Sequence, residues 1–333
     1  MTDYAYNAVG WVETITDPKG IAGKIGRETK TIENYTNGVP TNSSDKTTEF
    51  TYDGSHHLLT VQANLAGGTF QRTQWVYGTS TSTSDGVNSN DLVKSMRYPD
   101  PITGLPSSNE QETYEVNGLG QTKKFTDRNG NVHTLSYDVL GRVTADAVTT
   151  LGTGVDGAVR RIEVAYDGQG NPFKITSYDA ATAGNVVNEI QRDFNGLGQL
   201  TKEYQEHSGS VNTGTSLNVQ YAYSTLDSNN RSRLTSMTYP NGKVLSYNYA
   251  TGLDSNISRL SSLSDSSGTL ESYDFLGLST VVRRAYSQPG VDLTYIKQTG
   301  ESNGDAGDKY TGLDRFDRVV DRRWRKTSDG SHT

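Results

Sequence analysis

His56, His57, His133, His207 and His332 are the chain's imidazoles, and cysteine is absent. A zinc centre needs three or four converging ligands. Only His56 and His57 are neighbours, and adjacent residues of a strand point to opposite faces. No metal site is expected from them. The run Gly152-Thr153-Gly154-Val155-Asp156-Gly157 matches the dinucleotide-binding pattern letter by letter. That pattern works only where a helix opens after it and aims its N-terminus at a pyrophosphate. Here the β-rich run Ala158 to Tyr166 follows, so the sequence predicts a turn and no cofactor. Serine is abundant, but no Gly-x-Ser-x-Gly elbow exists to anchor a hydrolase triad. A glycosidase would need two carboxylates about 5–9 Å apart across a cleft, a spacing that sequence order does not set. Asp127-Arg128-Asn129-Gly130-Asn131 carries oxygen ligands but lacks the twelve-residue calcium-loop spacing and its terminal Glu. The most basic stretch, Arg315 to Lys326 with Trp324 inside it, could grip phosphates or stack a base. Asp314, Asp317 and Asp321 alternate with its arginines and the whole chain is net −7, so cross-strand ion pairing is expected there and nucleic-acid binding is not.

The elements that would hold these residues are announced by a recurring aromatic-led turn. Its plainest copy is Tyr137-Asp138-Val139-Leu140-Gly141-Arg142-Val143. Related copies are Tyr114-Glu115-Val116-Asn117-Gly118, Tyr166-Asp167-Gly168-Gln169-Gly170, Tyr273-Asp274-Phe275-Leu276-Gly277 and Phe194-Asn195-Gly196-Leu197-Gly198. From Tyr114 the leading aromatics step by 23, 29 and 28 residues, a period that marks a repeat architecture. Asp at the first turn position accepts backbone N–H groups two residues on. Gly three positions later can take the left-handed conformation that closes a hairpin loop. Between turns the pattern alternates with period two, as in Leu217, Val219, Tyr221 and Tyr223, and Pro240-Asn241-Gly242 joins two such runs. No sustained 3.6-residue stripe appears. The sequence predicts an all-β chain.

The Tyr-Asp-x-x-Gly-Arg core of Tyr137 to Arg142 resembles the signature of the Rhs/YD-repeat family. Asp127 to Asn131, and Thr16-Asp17-Pro18-Lys19-Gly20 after Tyr6-Asn7-Ala8-Val9-Gly10, resemble that family's inter-repeat turns. The resemblance runs from about Tyr4 to Trp324, with departures: Leu278 stands where Arg follows the Gly, and Gly168 arrives early. It implies a long antiparallel sheet spiralling into a hollow shell, part of a β-cocoon, which in bacterial toxin systems encloses a cargo domain and in cell-surface relatives forms a rigid extracellular body. Complete shells in the family are longer than this chain, so the expectation is a segment of a larger polypeptide. Asp100-Pro101-Ile102-Thr103-Gly104-Leu105 resembles the family's self-cleaving end motif. It has one residue too many and lies mid-chain, so a turn is expected and the terminal autoproteolytic core is read as missing. The positions that the resemblance marks as structural signatures are Tyr114, Gly118, Tyr137, Asp138, Gly141, Arg142, Tyr166, Gly170, Tyr273 and Gly277; none is read as catalytic.

Composition fits such a wall. Hydrophobic residues make up only 32%, yet Tyr numbers 20 against 7 Phe, as suits rings that pack on one side and reach polar surroundings with the hydroxyl. Thirty-five Gly suit a chain that turns every ten to fifteen residues. No run of about 18 apolar residues exists to span a membrane, and Met1-Thr2-Asp3-Tyr4 shows no charged-then-apolar signal pattern. The absence of Cys is compatible with bacterial secretion. Sequons at Asn34, Asn42 and Asn256 are expected by chance in a chain this rich in Ser, Thr and Asn.

Residues 1–333 are read as one repeat array: divergent repeats over 1–91 with polar loops at 34–46 and 78–90, regular repeats over 92–250, and looser repeats over 251–333 ending in the basic one. The expected role is a non-catalytic shell or scaffold segment of a secreted or cell-surface protein. Its expected partners are flanking repeats or other copies through edge strands, and an enclosed toxin or cargo. An extracellular adhesion or carbohydrate-binding module, recognising surface glycans through exposed aromatics, is the alternative, and a glycosidase on a β scaffold ranks below it.

Overall fold

The computed structural model describes residues 28–33, 46–224, 232–297 and 309–331 in full, and the backbone of Asp3–Tyr6, Val12–Thr16 and Ala22–Lys24. Trp11, the sequons at Asn34 and Asn42, His332, and most of the turns proposed at 7–10 and 17–20 lie outside the described residues. The chain is all-β, with two short 3-10 turns and one four-residue helix, Leu253–Asn256, among the described elements. No described helix is long and apolar enough to cross a membrane.

Two compact units are present: Met1–Glu163 with Ser177–Asn185, and Val164–Thr176 with Val186–Thr333. In the first, the three short N-terminal strands form an antiparallel sheet of their own. From Lys30–Glu33 to Arg161–Tyr166, each strand pairs antiparallel with the next in sequence. In the second, the same holds from Val186–Phe194 to Arg323–Lys326. Hairpin after hairpin is the arrangement that turn signals every ten to fifteen residues demand.

Register is marked by charges placed directly opposite one another. Lys30 faces Glu49 at 3.1 Å, Lys124 faces Glu115 at 2.9 Å, and Arg192 faces Glu203 at 2.7 Å. Aromatics form a second kind of cross-strand pair: Tyr114 stacks on Phe125 at 5.3 Å, and Phe125 meets His133 at 5.7 Å. Such pairs are the unit of sheet stabilisation.

Few apolar side chains are buried. Among the described residues they are Val116, Tyr204, Val282 and Leu313, fewer than the buried polar ones, which include Thr47, Asp85, Asn131, Glu189 and Asp292. Within each unit the described strands touch mainly their sequence neighbours, and their apolar faces stay half-covered. Ladder hydrogen bonds and side-chain clamps carry a correspondingly larger share of the order.

Candidate functional site: a stitched row of turns

The turn at Asp138 shows the repeating device in full. The Asp138 and Gly141 amides donate to the carbonyls of Arg142 and Asp138, each at 3.0 Å. One carboxylate oxygen of Asp138 accepts the amides of Leu140 at 2.9 Å and Arg142 at 3.0 Å. The other takes Arg142 Nε and Nη2, both at 2.7 Å. Gly141 holds φ 78°, left-handed, where an L side chain is strained. The Arg142 amide and then its guanidinium hold the Asp138 carboxyl below its ordinary range against a raising contribution from desolvation. Asp138, Gly141 and Arg142 thus close one five-residue clamp.

The same clamp recurs with different partners. Asp127 is matched by Asn131, Asp167 by Asn171, Asp314 by Arg318 and Asp53 by His57, always four residues on. Where Asn replaces Asp, the fifth residue is Gln: Asn117 Nδ2 donates to Gln121 Oε1 and Asn195 Nδ2 to Gln199 Oε1, each at 2.9 Å. The chemistry dictates the pairing. In each turn one side-chain oxygen is spent on two backbone amides; a carboxylate then offers a second acceptor and needs a donor, while a carboxamide offers a donor and needs an acceptor. Sequence reading missed this matching, although the letter four places after each Asx carries it.

Two expected copies sit elsewhere. At Tyr114 the turn is not led by Tyr114 and does not close on Gly118. Glu115 is held opposite Lys124 in the ladder, and Asn117 takes the clamp, with Gly120 left-handed at φ 77°. A Glu carboxylate drawn to its cross-strand Lys is not available to cap the turn. Tyr114 is instead a strand residue whose hydroxyl donates to Glu112 at 2.8 Å. At Tyr273 the strand Gly268–Leu276 continues past Asp274, which lies opposite Arg283 and contacts it at 3.2 Å. The ladder reaches Leu276 opposite Thr280, so only Gly277, Leu278 and Ser279 remain to turn, and Gly277 opens that loop at φ 61° rather than closing it. In the Tyr166 copy, Gly170 is left-handed at φ 90° as the spacing requires, despite the early Gly168.

Tyr137 and three other tyrosines at or near strand ends reach back to the strand before. Tyr137 Oη donates to the carbonyl of Thr122 at 2.5 Å, Tyr77 to Leu58 at 3.1 Å, Tyr223 to Leu200 at 2.9 Å and Tyr249 to Leu234 at 2.9 Å. Each acceptor is the first residue of the preceding strand. Burial pushes the phenols of Tyr137, Tyr223 and Tyr249 up, which keeps them donors. Register slips by one residue next to Tyr52, Tyr77, Tyr137, Phe194 and Tyr223, a β-bulge that re-aims the ring toward its neighbour. The residue skipped at two of these bulges is a Thr that caps the free carbonyl itself: Thr201 to Asp193 at 3.0 Å and Thr235 to Ala222 at 3.1 Å. Gln side chains add a further stitch, with Gln121 reaching the Gly141 carbonyl at 2.9 Å and Gln199 that of Ser232 at 2.6 Å.

The remaining candidates resolve as structural features. Gly152 to Gly157 forms a loop that leads into the strand Arg161–Tyr166, and the Gly152 amide donates to Asn131 Oδ1 at 2.8 Å. The Asp100 carboxylate accepts the Thr103 and Ile102 amides and the Thr103 hydroxyl, which hold it below its ordinary value. That environment suits a turn cap and opposes a general acid. The polar loop over 78–90 is organised around buried Asp85, which accepts Val116 N and Ser80 N at 3.0 Å each. Arg318 and Arg323 pair with Asp314 and Asp321 at 2.7 and 2.5 Å. Among the described residues no group of three or more His, Asp or Glu converges as for a metal ion. Three open grooves of 310, 390 and 440 Å³ are lined by no carboxylate, by Asp314 and by Asp100 respectively, so none presents a carboxylate pair.

No family model and no curated protein matches the chain. Solved structures do match. A TcdB2-TccC3-TEV crystal structure has TM-score 0.49 at 11% identity over 99% of this chain. The Photorhabdus luminescens Tc holotoxin pore with a mutated TccC3, and TcdB2-TccC3 without its hypervariable C-terminal region, each have TM-score 0.48 at 12% identity over 99% of this chain. In all three the chain spans only 17% of the length of the matched chain.

Proposed function

We propose that this chain is a non-catalytic wall segment of a larger YD-repeat β-shell. The observation that carries this reading is the clamp that recurs in the turns at 53, 117, 127, 138, 167, 195 and 314, beside tyrosine hydroxyls that reach back to the opening carbonyl of the preceding strand. Such a device stiffens a sheet that has little core, which is what a wall needs and what an enzyme pocket does not. The shell would belong to a secreted or cell-surface protein and would enclose a cargo domain or serve as a rigid extracellular body, with flanking repeats continuing the ladder at its edge strands. Electron microscopy of the longest polypeptide that contains the chain tests the proposal. A wall one sheet thick around a lumen is the expected image. A solid body with one deep cleft would overturn it.

A further inference from the structure

The clamp at Asp53 differs from its siblings in one respect: its fifth residue is an imidazole. Arg, Asn and Gln fill that place in the turns at 138, 314, 127, 167, 117 and 195, whereas here it is His57. His57 Nδ1 lies 2.8 Å from Asp53 Oδ2. Its Nε2 lies 3.4 Å from Asp91 Oδ1, on the strand Ser89–Pro99 rather than in the turn. Between them the ring stacks on Tyr77 at 4.7 Å, and the Tyr77 hydroxyl is already committed to the Leu58 carbonyl. The charged or titratable groups facing the imidazole are therefore Asp53 from its own turn, Asp91 from Ser89–Pro99 and Tyr77 from Phe70–Thr79. The adjacent His56 is exposed and fills the left-handed turn position at φ 74°.

We infer that His57 is an acid-tightened stitch that joins the 53–57 turn to the strand Ser89–Pro99. A neutral imidazole has one N–H and one lone pair, so it can donate to only one of two carboxylates and turns a lone pair on the other. The imidazolium has two N–H groups and satisfies both. Imidazoles as a class change charge between pH 5 and 8, where the siblings' Arg, Asn and Gln do not. Acidification over that window therefore strengthens this one turn while the others stay constant.

Amide hydrogen exchange on the full chain at pH 8 and pH 5, corrected for intrinsic exchange rates, tests the inference. Protection of the Ser55, His57 and Asp91 amides is expected to rise by a factor of about 2–5, the weight of a partly exposed ion pair. His57→Arg, the residue that the Asp138 and Asp314 clamps use, keeps the turn and should show the same protection at both values. Asp91→Ala leaves the Asp53 clamp whole and should remove most of the rise. His56→Gly, suited to the left-handed position, should retain it. An unchanged wild-type turn, or a pH effect that persists in His57→Arg or is undiminished in Asp91→Ala, overturns the inference.

Discussion

The fifth residue of each turn decides which clamp can form, because Asp and Asn leave opposite unmet needs once two amides are capped. Asn117→Asp would set a second acceptor against Gln121 Oε1, and the carboxamide could turn its Nε2 inward only by releasing the Gly141 carbonyl. The substitution should destabilise by about 1 kcal/mol, the usual worth of one hydrogen bond. Adding Gln121→Arg should restore the turn in the Asp138–Arg142 form. A double-mutant cycle by thermal unfolding reads this directly, with a favourable coupling energy expected and an additive pair counting against the matching rule.

At the scale of the hairpin, close approach of backbones fixes residues that no local rule would pick. A Cβ on Gly86 would lie 2.3 Å from Gly118 N and 2.4 Å from Asn117 C, so Gly86→Ala must push the polar loop off the strand end that Asp85 holds. A cost of about 1–3 kcal/mol is expected, as for overpacking elsewhere, together with faster proteolysis within 79–88. Gly54→Ala, with open space at its Cβ, is the neutral control. The Asp turns also share a pH limit. Asp167 is held low first by the Asn171 side chain, and Asp138 by the Arg142 amide; in Asp127 burial pushes up and is outweighed by Asn131. Each folded value lies below that of the unfolded chain, so the stabilisation is complete above about pH 4 and is lost as pH falls through the folded values. Exchange protection at 138–142 and 167–171 should fall below about pH 4. The Asn-based turns at 117–121 and 195–199 should keep theirs.

At the scale of the whole molecule, the scarcity of buried apolar side chains among the described residues has a measurable consequence. The urea m-value follows the surface exposed on unfolding. This chain should give an m-value below that of a compact domain of equal length, and unfolding spread over repeats rather than one sharp transition. A steep two-state curve would argue for a packed core that the burial pattern does not contain.

The sequence by itself determined what is local. The Asp138 side chain accepts amides two and four residues away, and Gly141 and Gly170 are left-handed within their own loops, contacts that need nothing beyond five residues of sequence. The all-β class followed for the same reason, since period-two runs between such turns leave no other regular choice. The failures came where partners lie far along the chain. Glu115 and Asp274 sit near turn-like letters, but cross-strand Lys124 and Arg283 hold them in ladders. The hydroxyl of Tyr137 finds a carbonyl 15 residues back and that of Tyr223 one 23 residues back. His57 meets Asp91 only because intervening strands bring that residue beside the turn. Such contacts depend on register and on bulges, which are settled by how whole strands align, and only the tertiary structure decided them.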